Sequence, residues 1–158
     1  MIEICPNLFI GTVNDYELIK DDGWRVVHAA KEPYHRLALG YTGRSADKNH
    51  PEYLIAVREK RLILNLIDAP SASYIPKILI DTALDFIRKA IAGGFKVLVH
   101  CNSGQSRAPT IGLLYMASCG MLTREFETSE AKFREIYPLY NPKSGMHEFG
   151  ATNFNSYL

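Results

Sequence analysis

The sequence has few cysteines and no long apolar run. Its three cysteines, Cys5, Cys101 and Cys119, are an odd number without paired spacing. This excludes a disulfide-stapled secreted scaffold and predicts a reduced, cytoplasmic setting. No apolar run approaches the roughly 20 residues that span a bilayer, and the first residues lack the basic region and apolar stretch of a signal peptide. No membrane partner is therefore expected.

The sequence also lacks an excess of either charge. Lys and Arg number 18 and Asp and Glu number 17, a net charge of +1. Without a broad basic field, no nucleic-acid partner is expected. The histidines lack metal-ligand spacing, so neither a metal nor another cofactor is expected. The 158 residues fit one domain, 1–158, that can bury a core of its own.

Short apolar runs alternate with amphipathic segments along the chain. The predicted strands are residues 7–11, 24–30, 61–67 and 95–100. The predicted helices are 14–22, 75–92, 107–118, 124–137 and 143–155, with a helical turn near 52–57. Alternation of this kind predicts an α/β sandwich whose mostly parallel central sheet, of about four to five strands, is flanked by helices. Residues 32–60 show no period and are predicted to form a long irregular loop.

One apolar strand ends in a cysteine that is followed by a short polar loop. Residues 97–109 read Val-Leu-Val-His-Cys-Asn-Ser-Gly-Gln-Ser-Arg-Ala-Pro, and Arg107 opens the next predicted helix. The loop amides can point inward as an anion-binding nest, and the positive end of the helix dipole lies at the same place. The Arg107 fork can hold two phosphate oxygens. Together these groups stabilise the thiolate of Cys101, which is the nucleophilic form. The predicted substrate-binding residues are Asn102, Ser103, Gly104, Gln105, Ser106 and Arg107.

This motif resembles the signature loop of the cysteine-dependent protein tyrosine phosphatases. The match consists of His100-Cys101, five residues and Arg107, and the Ser-Arg-x-Pro-Thr continuation is most similar to the dual-specificity branch. The resemblance implies a phosphatase-like three-layer sandwich and a supporting role for His100, which would hydrogen-bond to the loop backbone. It also implies hydrolysis of phosphotyrosine, phosphoserine or phosphothreonine in proteins, or of a small phosphate monoester, through a thiophosphate intermediate.

Asp68 is the candidate general acid. It follows a predicted strand that should neighbour the Cys101 strand, and Pro70 stiffens the chain after it. In the family that the signature resembles, an Asp at this place plays that role. The alternative is a turn or cap aspartate, although Ser71 and Ser73 lie closer to the next helix. Asp47 and Glu32, in the segment predicted as a loop, are the reserve candidates.

The chain departs from the family pattern at Ala108, where a Ser or Thr is usual and its hydroxyl donates to the cysteine sulfur. Slower breakdown of the intermediate is expected, with Ser103, Ser106 and Thr110 as possible substitutes. A catalytically weak phospho-ligand-binding module is therefore one alternative. A sulfurtransferase, which also uses a cysteine in an amide-lined loop, is another. The neutral loop side chains disfavour polyphosphorylated lipids as substrates.

Overall fold

Six strands form the central sheet in the computed structural model, which describes residues 1–158. They are β1 (Ile2–Cys5), β2 (Leu8–Gly11), β3 (Trp24–His28), β4 (Ile55–Arg58), β5 (Arg61–Leu64) and β6 (Lys96–His100). Their order across the sheet is β1-β2-β6-β3-β5-β4. The four inner strands run parallel, and the edge strands β1 and β4 pair antiparallel with their neighbours. The sheet is thus mixed and mostly parallel, which confirms the predicted fold class.

Both edge strands are additions to the predicted sheet, which therefore has six strands rather than four to five. β4 lies where the sequence predicts a helical turn, so that prediction is wrong. Ile55–Arg58 pairs antiparallel with Arg61–Leu64, and Glu59 in the connecting turn has a positive φ of 49°. Pairing with a neighbouring strand decides the conformation of so short a segment, and this pairing is invisible to local periodicity.

The helices are α1 (Val13–Glu17), α2 (Arg36–Leu39), α3 (Lys77–Ala92), α4 (Arg107–Ser118), α5 (Phe126–Ile136) and α6 (Ser144–Asn153). α4 has the predicted bounds, whereas α1 is shorter than predicted. Thr12 precedes α1, and its main-chain N–H donates to the Asp15 carboxylate at 2.8 Å. This reciprocal contact fixes the start of α1 one residue before the predicted position.

The segment 32–60 is less irregular than the sequence predicts. It contains most of an irregular helical turn at Lys31–His35, then α2 and β4, and only residues 40–54 and the tight turn 59–60 lack helix and strand. Arg36 holds this part of the chain together. Its guanidinium pairs with Glu32 at 2.8 Å and donates to the carbonyl oxygens of Tyr41 and Gly43. Side-chain bonds to backbone, rather than an apolar stripe, order this segment, so it carries no periodic signal.

Two unequal layers cover the sheet. α3, α4, α5 and α6 pack on one face, where the main apolar core lies. The other face is covered by α1 and the turn 31–35, and we call it the thin face. β3 lies between β5 and β6, so the prediction that the strand before Asp68 neighbours the Cys101 strand is wrong. The three strands are parallel, so the carboxyl ends of β5 and β6 still lie at the same edge of the sheet, and the segments that carry Asp68 and Cys101 leave from there. No helix has both the length and the apolar character needed to cross a bilayer.

Candidate functional site

The loop between β6 and α4, Cys101–Arg107, presents unpaired main-chain amides. None of the N–H groups from Asn102 to Ser106 donates a hydrogen bond within the protein. Gly104 has a φ of 71°, and a Cβ there would lie 3.1 Å from the Gly11 carbonyl oxygen and 3.1 Å from the Tyr137 hydroxyl. Glycine alone fits this conformation and spacing. The loop, called the phosphate loop below, thus has the free amides that an anion-binding nest requires.

Cys101 and Arg107 lie at the two ends of the phosphate loop and are both buried. Cys101 is 1% exposed and Arg107 is 9% exposed. Nη1 of Arg107 donates to the Leu66 carbonyl oxygen at 3.0 Å, and that oxygen also accepts the Lys31 main-chain N–H at 2.9 Å. The chain after β5 therefore fixes one edge of the guanidinium. Nε of Arg107 is buried and has no acceptor within the protein. An oxyanion held by the loop amides would satisfy this donor.

The other loop side chains divide into two groups. The side chains of Asn102, Ser103 and Gln105 are exposed, and the main-chain N–H groups of these residues have no acceptor within the protein. Ser106 is buried, and its hydroxyl donates to Oδ1 of Asp68 at 2.8 Å. The same oxygen of Ser106 accepts the main-chain N–H of Lys143 at 2.9 Å. Ser106 therefore joins the phosphate loop to the candidate acid and to the start of α6.

Asp68 caps no helix. Ser71 caps the short 3₁₀ turn Ala72–Tyr74, and Pro76 precedes α3. The reserve candidates are engaged elsewhere: Asp47 accepts the Asn49 main-chain N–H, and Glu32 pairs with Arg36. Of the three carboxylates, Asp68 is the one bonded to the phosphate loop.

The segment after Asp68, which we call the acid segment (68–71), is held against the start of α6. The Gly145 main-chain N–H donates to the Ala69 carbonyl oxygen at 3.1 Å, and the Ser144 hydroxyl donates to the Pro70 carbonyl oxygen at 2.8 Å. A Cβ at Gly145 would lie 2.1 Å from the Ala69 oxygen. The two backbones approach so closely that position 145 accepts only glycine.

A tyrosine from α5's C-terminal end supports the phosphate loop from outside. The Tyr137 hydroxyl donates to the Gly104 carbonyl oxygen at 2.7 Å. Burial raises the pKa of Tyr137 to about 12, and the neighbouring Cys101 and Asp15 act in the same direction. The phenol therefore keeps its proton and remains a donor to the loop.

His100 lies beneath Cys101 on the thin face. Its Nδ1 is 3.2 Å from the Cys101 carbonyl oxygen, and its Nε2 is 2.6 Å from Nδ1 of His28. Burial lowers the pKa of His100 to about 4 and that of His28 to about 2. Both rings are therefore neutral near physiological pH, which suits support of the backbone and not proton transfer.

Comparison with known proteins identifies the family that the chain resembles. No family model matches. Dual specificity protein phosphatase 16 from Homo sapiens is 30% identical over 119 residues, which are 72% of this chain and 15% of that protein. Dual specificity protein phosphatase PHS1 from Arabidopsis thaliana is 36% identical over 69 residues, 42% of this chain and 7% of that protein. The superposition on the crystal structure of human DUSP28 covers 99% of this chain and 90% of the DUSP28 chain, with a TM-score of 0.67 and 14% sequence identity.

The chain is a dual-specificity-phosphatase-like protein. At 14% identity, the likeness to human DUSP28 shows the shared fold. The chain spans only a small part of these two curated relatives, 15% and 7% of their lengths.

One position of this dual-specificity-phosphatase-like chain lacks a hydroxyl near the candidate nucleophile. Ala108 is fully buried beside Arg107. The Ser106 hydroxyl donates to Asp68, and the Thr110 hydroxyl donates to the Ser106 carbonyl oxygen at 2.7 Å. A hydroxyl has one proton, so neither can donate to the Cys101 sulfur at the same time. The Ser103 side chain is exposed, whereas Cys101 is buried, and none of the three hydroxyls hydrogen-bonds to the Cys101 sulfur.

Three contributors to the site are missed by the sequence analysis: Tyr137, Gly145 and His28. Each comes from an element distant in sequence from the phosphate loop, and no spacing rule connects them to it. Gly145 alone carries a weak signal, because a glycine inside a predicted helix destabilises the helix by about 1 kcal/mol relative to alanine and so invites a search for a packing reason.

Proposed function

We propose that this protein hydrolyses phosphate monoesters, on phosphotyrosine, phosphoserine or phosphothreonine of proteins, through a thiophosphate intermediate on Cys101. The observation that carries the proposal is a juxtaposition. The loop that begins at the buried Cys101 carries free main-chain amides and ends at the buried Arg107, whose Nε has no acceptor, and Ser106 ties Asp68 to the same loop. Dual-specificity phosphatases are also the proteins that the chain resembles in sequence and fold.

In the first step, the Cys101 thiolate attacks phosphorus and the bond from phosphorus to the ester oxygen breaks. Asp68 gives its proton to the leaving oxygen, which contributes typically about 10² to 10⁴-fold. The loop amides and Arg107 bind the three equatorial oxygens, where the transferring group carries its charge.

In the second step, water attacks phosphorus and the sulfur–phosphorus bond breaks. The Asp68 carboxylate takes the proton from the water, inorganic phosphate forms, and Cys101 leaves as a thiolate. Because no hydroxyl at position 108 stabilises that thiolate, we expect the second step to be slowed and to limit turnover.

The residues at the loop surface favour a singly phosphorylated substrate. Asn102, Ser103 and Gln105 are exposed and neutral, so they provide no cations for further phosphate groups. Protein phosphomonoesters fit this surface better than polyphosphorylated lipids do.

The test compares turnover of an aryl phosphate by the wild type, Cys101→Ser and Asp68→Asn. Turnover should vanish in Cys101→Ser and fall by about 10² to 10⁴-fold in Asp68→Asn. Asp85→Asn is the matched control, because Asp85 is a surface carboxylate paired with Lys89 on α3. Acid quenching during turnover should trap a phosphorylated Cys101 that mass spectrometry detects.

Ala108 supports a second candidate, a phospho-ligand-binding module with little turnover. Wild-type turnover no faster than that of Cys101→Ser, together with binding of a phosphopeptide, would establish the module in place of the enzyme. Thiosulfate-dependent consumption of cyanide would instead indicate a sulfurtransferase.

A further inference from the structure

A continuous path of hydrogen bonds leads across the thin face of the sheet to the phosphate loop. Nη1 of Arg61 is 3.3 Å from Nε2 of His28, and Nδ1 of His28 is 2.6 Å from Nε2 of His100. Nδ1 of His100 is 3.2 Å from the Cys101 carbonyl oxygen. The two histidines are fully buried and lie at paired positions on the neighbouring strands β3 and β6.

The two ends of this path fix where each ring carries its proton. A guanidinium only donates, so Nε2 of His28 accepts from Arg61 and the His28 proton is on Nδ1. That proton is donated to Nε2 of His100, which must then hold its own proton on Nδ1. A carbonyl only accepts, and the Nδ1–H of His100 donates to the Cys101 oxygen. One direction of donation therefore satisfies every group on the path.

Two tyrosines keep the rings in this arrangement. Tyr16 of α1 stacks on His100 with ring centroids 5.4 Å apart, and Tyr34 of the turn 31–35 stacks on His28 at 4.2 Å. Burial keeps the pKa of both histidines below the physiological range, while Asp15 raises and Arg107 lowers the pKa of His100. Neither ring gains a second proton near neutral pH, so the direction of hydrogen-bond donation along the path is preserved.

The last hydrogen bond acts on the first peptide unit of the phosphate loop. The Cys101 carbonyl and the Asn102 N–H belong to one planar peptide, and in a trans peptide they point to opposite sides. Fixing the carbonyl towards His100 therefore fixes the Asn102 N–H away from that ring. The Asn102 N–H is one of the free amides of the loop. In the other tautomer, the lone pair of Nδ1 would face the Cys101 oxygen and repel it.

We propose that Arg61 and His28 are positioning residues of the phosphate loop, because they set the tautomer of His100 and through it the orientation of the Cys101–Asn102 peptide. The relevance of this arrangement to catalysis rests on the proposed function. The family signature includes His100, whereas Arg61 and His28 lie outside it.

The first test reads the tautomer directly. In protein labelled with ¹⁵N at histidine, the His100 Nδ1 should be protonated and Nε2 unprotonated at neutral pH. His28→Leu removes the donor to Nε2 and should give a mixture of tautomers. His28→Asn keeps an N–H donor near the position of Nδ1 and should restore the wild-type state.

The second test measures alkylation of Cys101 by iodoacetamide against pH, a readout that needs no substrate. With the peptide misoriented, the thiolate loses stabilisation, so His28→Leu should react about two- to tenfold more slowly on the acidic side of the profile. His28→Asn should stay close to wild type. Arg61→Met should also give mixed tautomers and slower alkylation. Because Arg61 is partly exposed and His28 is fully buried, Arg61→Met should disturb folding less than His28→Leu does. Arg25→Met is the matched control, because Arg25 is a half-exposed β3 arginine that covers Phe95 instead.

A wild-type His100 protonated on Nε2 overturns the proposal. So does an unchanged alkylation profile in folded His28→Leu or, if that variant does not fold, in Arg61→Met. Neither readout depends on turnover. A protein with the expected tautomer and no hydrolysis would therefore refute the proposed function alone.

Discussion

Replacing Ala108 with serine is expected to speed the second step of the proposed reaction. Ala108 follows Arg107 at the start of α4 and is fully buried, and the hydroxyls of Ser106 and Thr110 are committed to other acceptors. The leaving Cys101 thiolate therefore has no hydroxyl donor of its own. A serine hydroxyl at position 108 would supply one.

The size of the effect follows from the charge on the sulfur. A hydrogen bond to a charged group contributes about 1.5 to 3 kcal/mol. Because about 1.4 kcal/mol corresponds to a factor of ten in rate, breakdown of the thiophosphate should accelerate by about ten- to a hundredfold. The first step should change little, since Asp68 and Arg107 keep their partners.

Rapid mixing with an aryl phosphate separates the two steps. The wild type should release one equivalent of the phenol in a burst and then turn over slowly, whereas Ala108→Ser should show a faster second phase and a smaller burst. Ala117→Ser places a hydroxyl in the buried C-terminal part of the same helix and should leave both phases unchanged. An unchanged second phase in folded Ala108→Ser would refute the reasoning.

Three further predictions concern the surroundings of the site. Tyr137→Phe leaves the Gly104 carbonyl without its buried donor and should lower the free energy of unfolding by about 1 to 3 kcal/mol; an unchanged urea midpoint would contradict this. Gly145→Ala places a methyl group 2.1 Å from the Ala69 carbonyl oxygen and must displace the acid segment, so turnover of alkyl phosphates should fall more than that of aryl phosphates, and equal losses would argue against it. Folding lowers the pKa of His28 from 6.5 to about 2, so the folded state binds fewer protons, and its stability is full above pH 6.5 and falls below it by up to about 1.4 kcal/mol per pH unit. His28→Asn should flatten that decline in denaturant titrations, and an equal slope in both proteins would disprove the assignment.

The sequence predicts well what depends on consecutive residues. The strand, loop and helix around Cys101 form one continuous stretch, so the bounds of α4 and the positions of Cys101 and Arg107 relative to it follow from local pattern. The parallel inner strands are also predicted, because buried parallel strands are continuous apolar runs. Asp68 is predicted to lie near Cys101 on the expectation that both follow neighbouring strands. β3 separates the two strands, but all three are parallel, so Asp68 still reaches the phosphate loop through Ser106.

What the sequence does not predict depends on contacts between distant segments. β4 forms through pairing with β5, and its four residues are too few for a periodic signal. The Tyr137 support and the His28 contact join residues that are 33 and 72 positions apart in the chain. Such contacts follow from the assembled fold, and tyrosine and histidine are residue types of intermediate burial, so their presence in the sequence does not predict a core position.

The way α6 and Ser106 hold the acid segment has a consequence for the timing of the reaction. Asp68 is hydrogen-bonded to the phosphate loop, and Ala69 and Pro70 are hydrogen-bonded to the start of α6. If Asp68 is the general acid, as proposed, the entropic cost of ordering it is met once, during folding, and does not recur in each catalytic cycle. An acid that is ordered in this way needs no closing motion before proton transfer, so turnover in the proposed reaction should be insensitive to solvent viscosity.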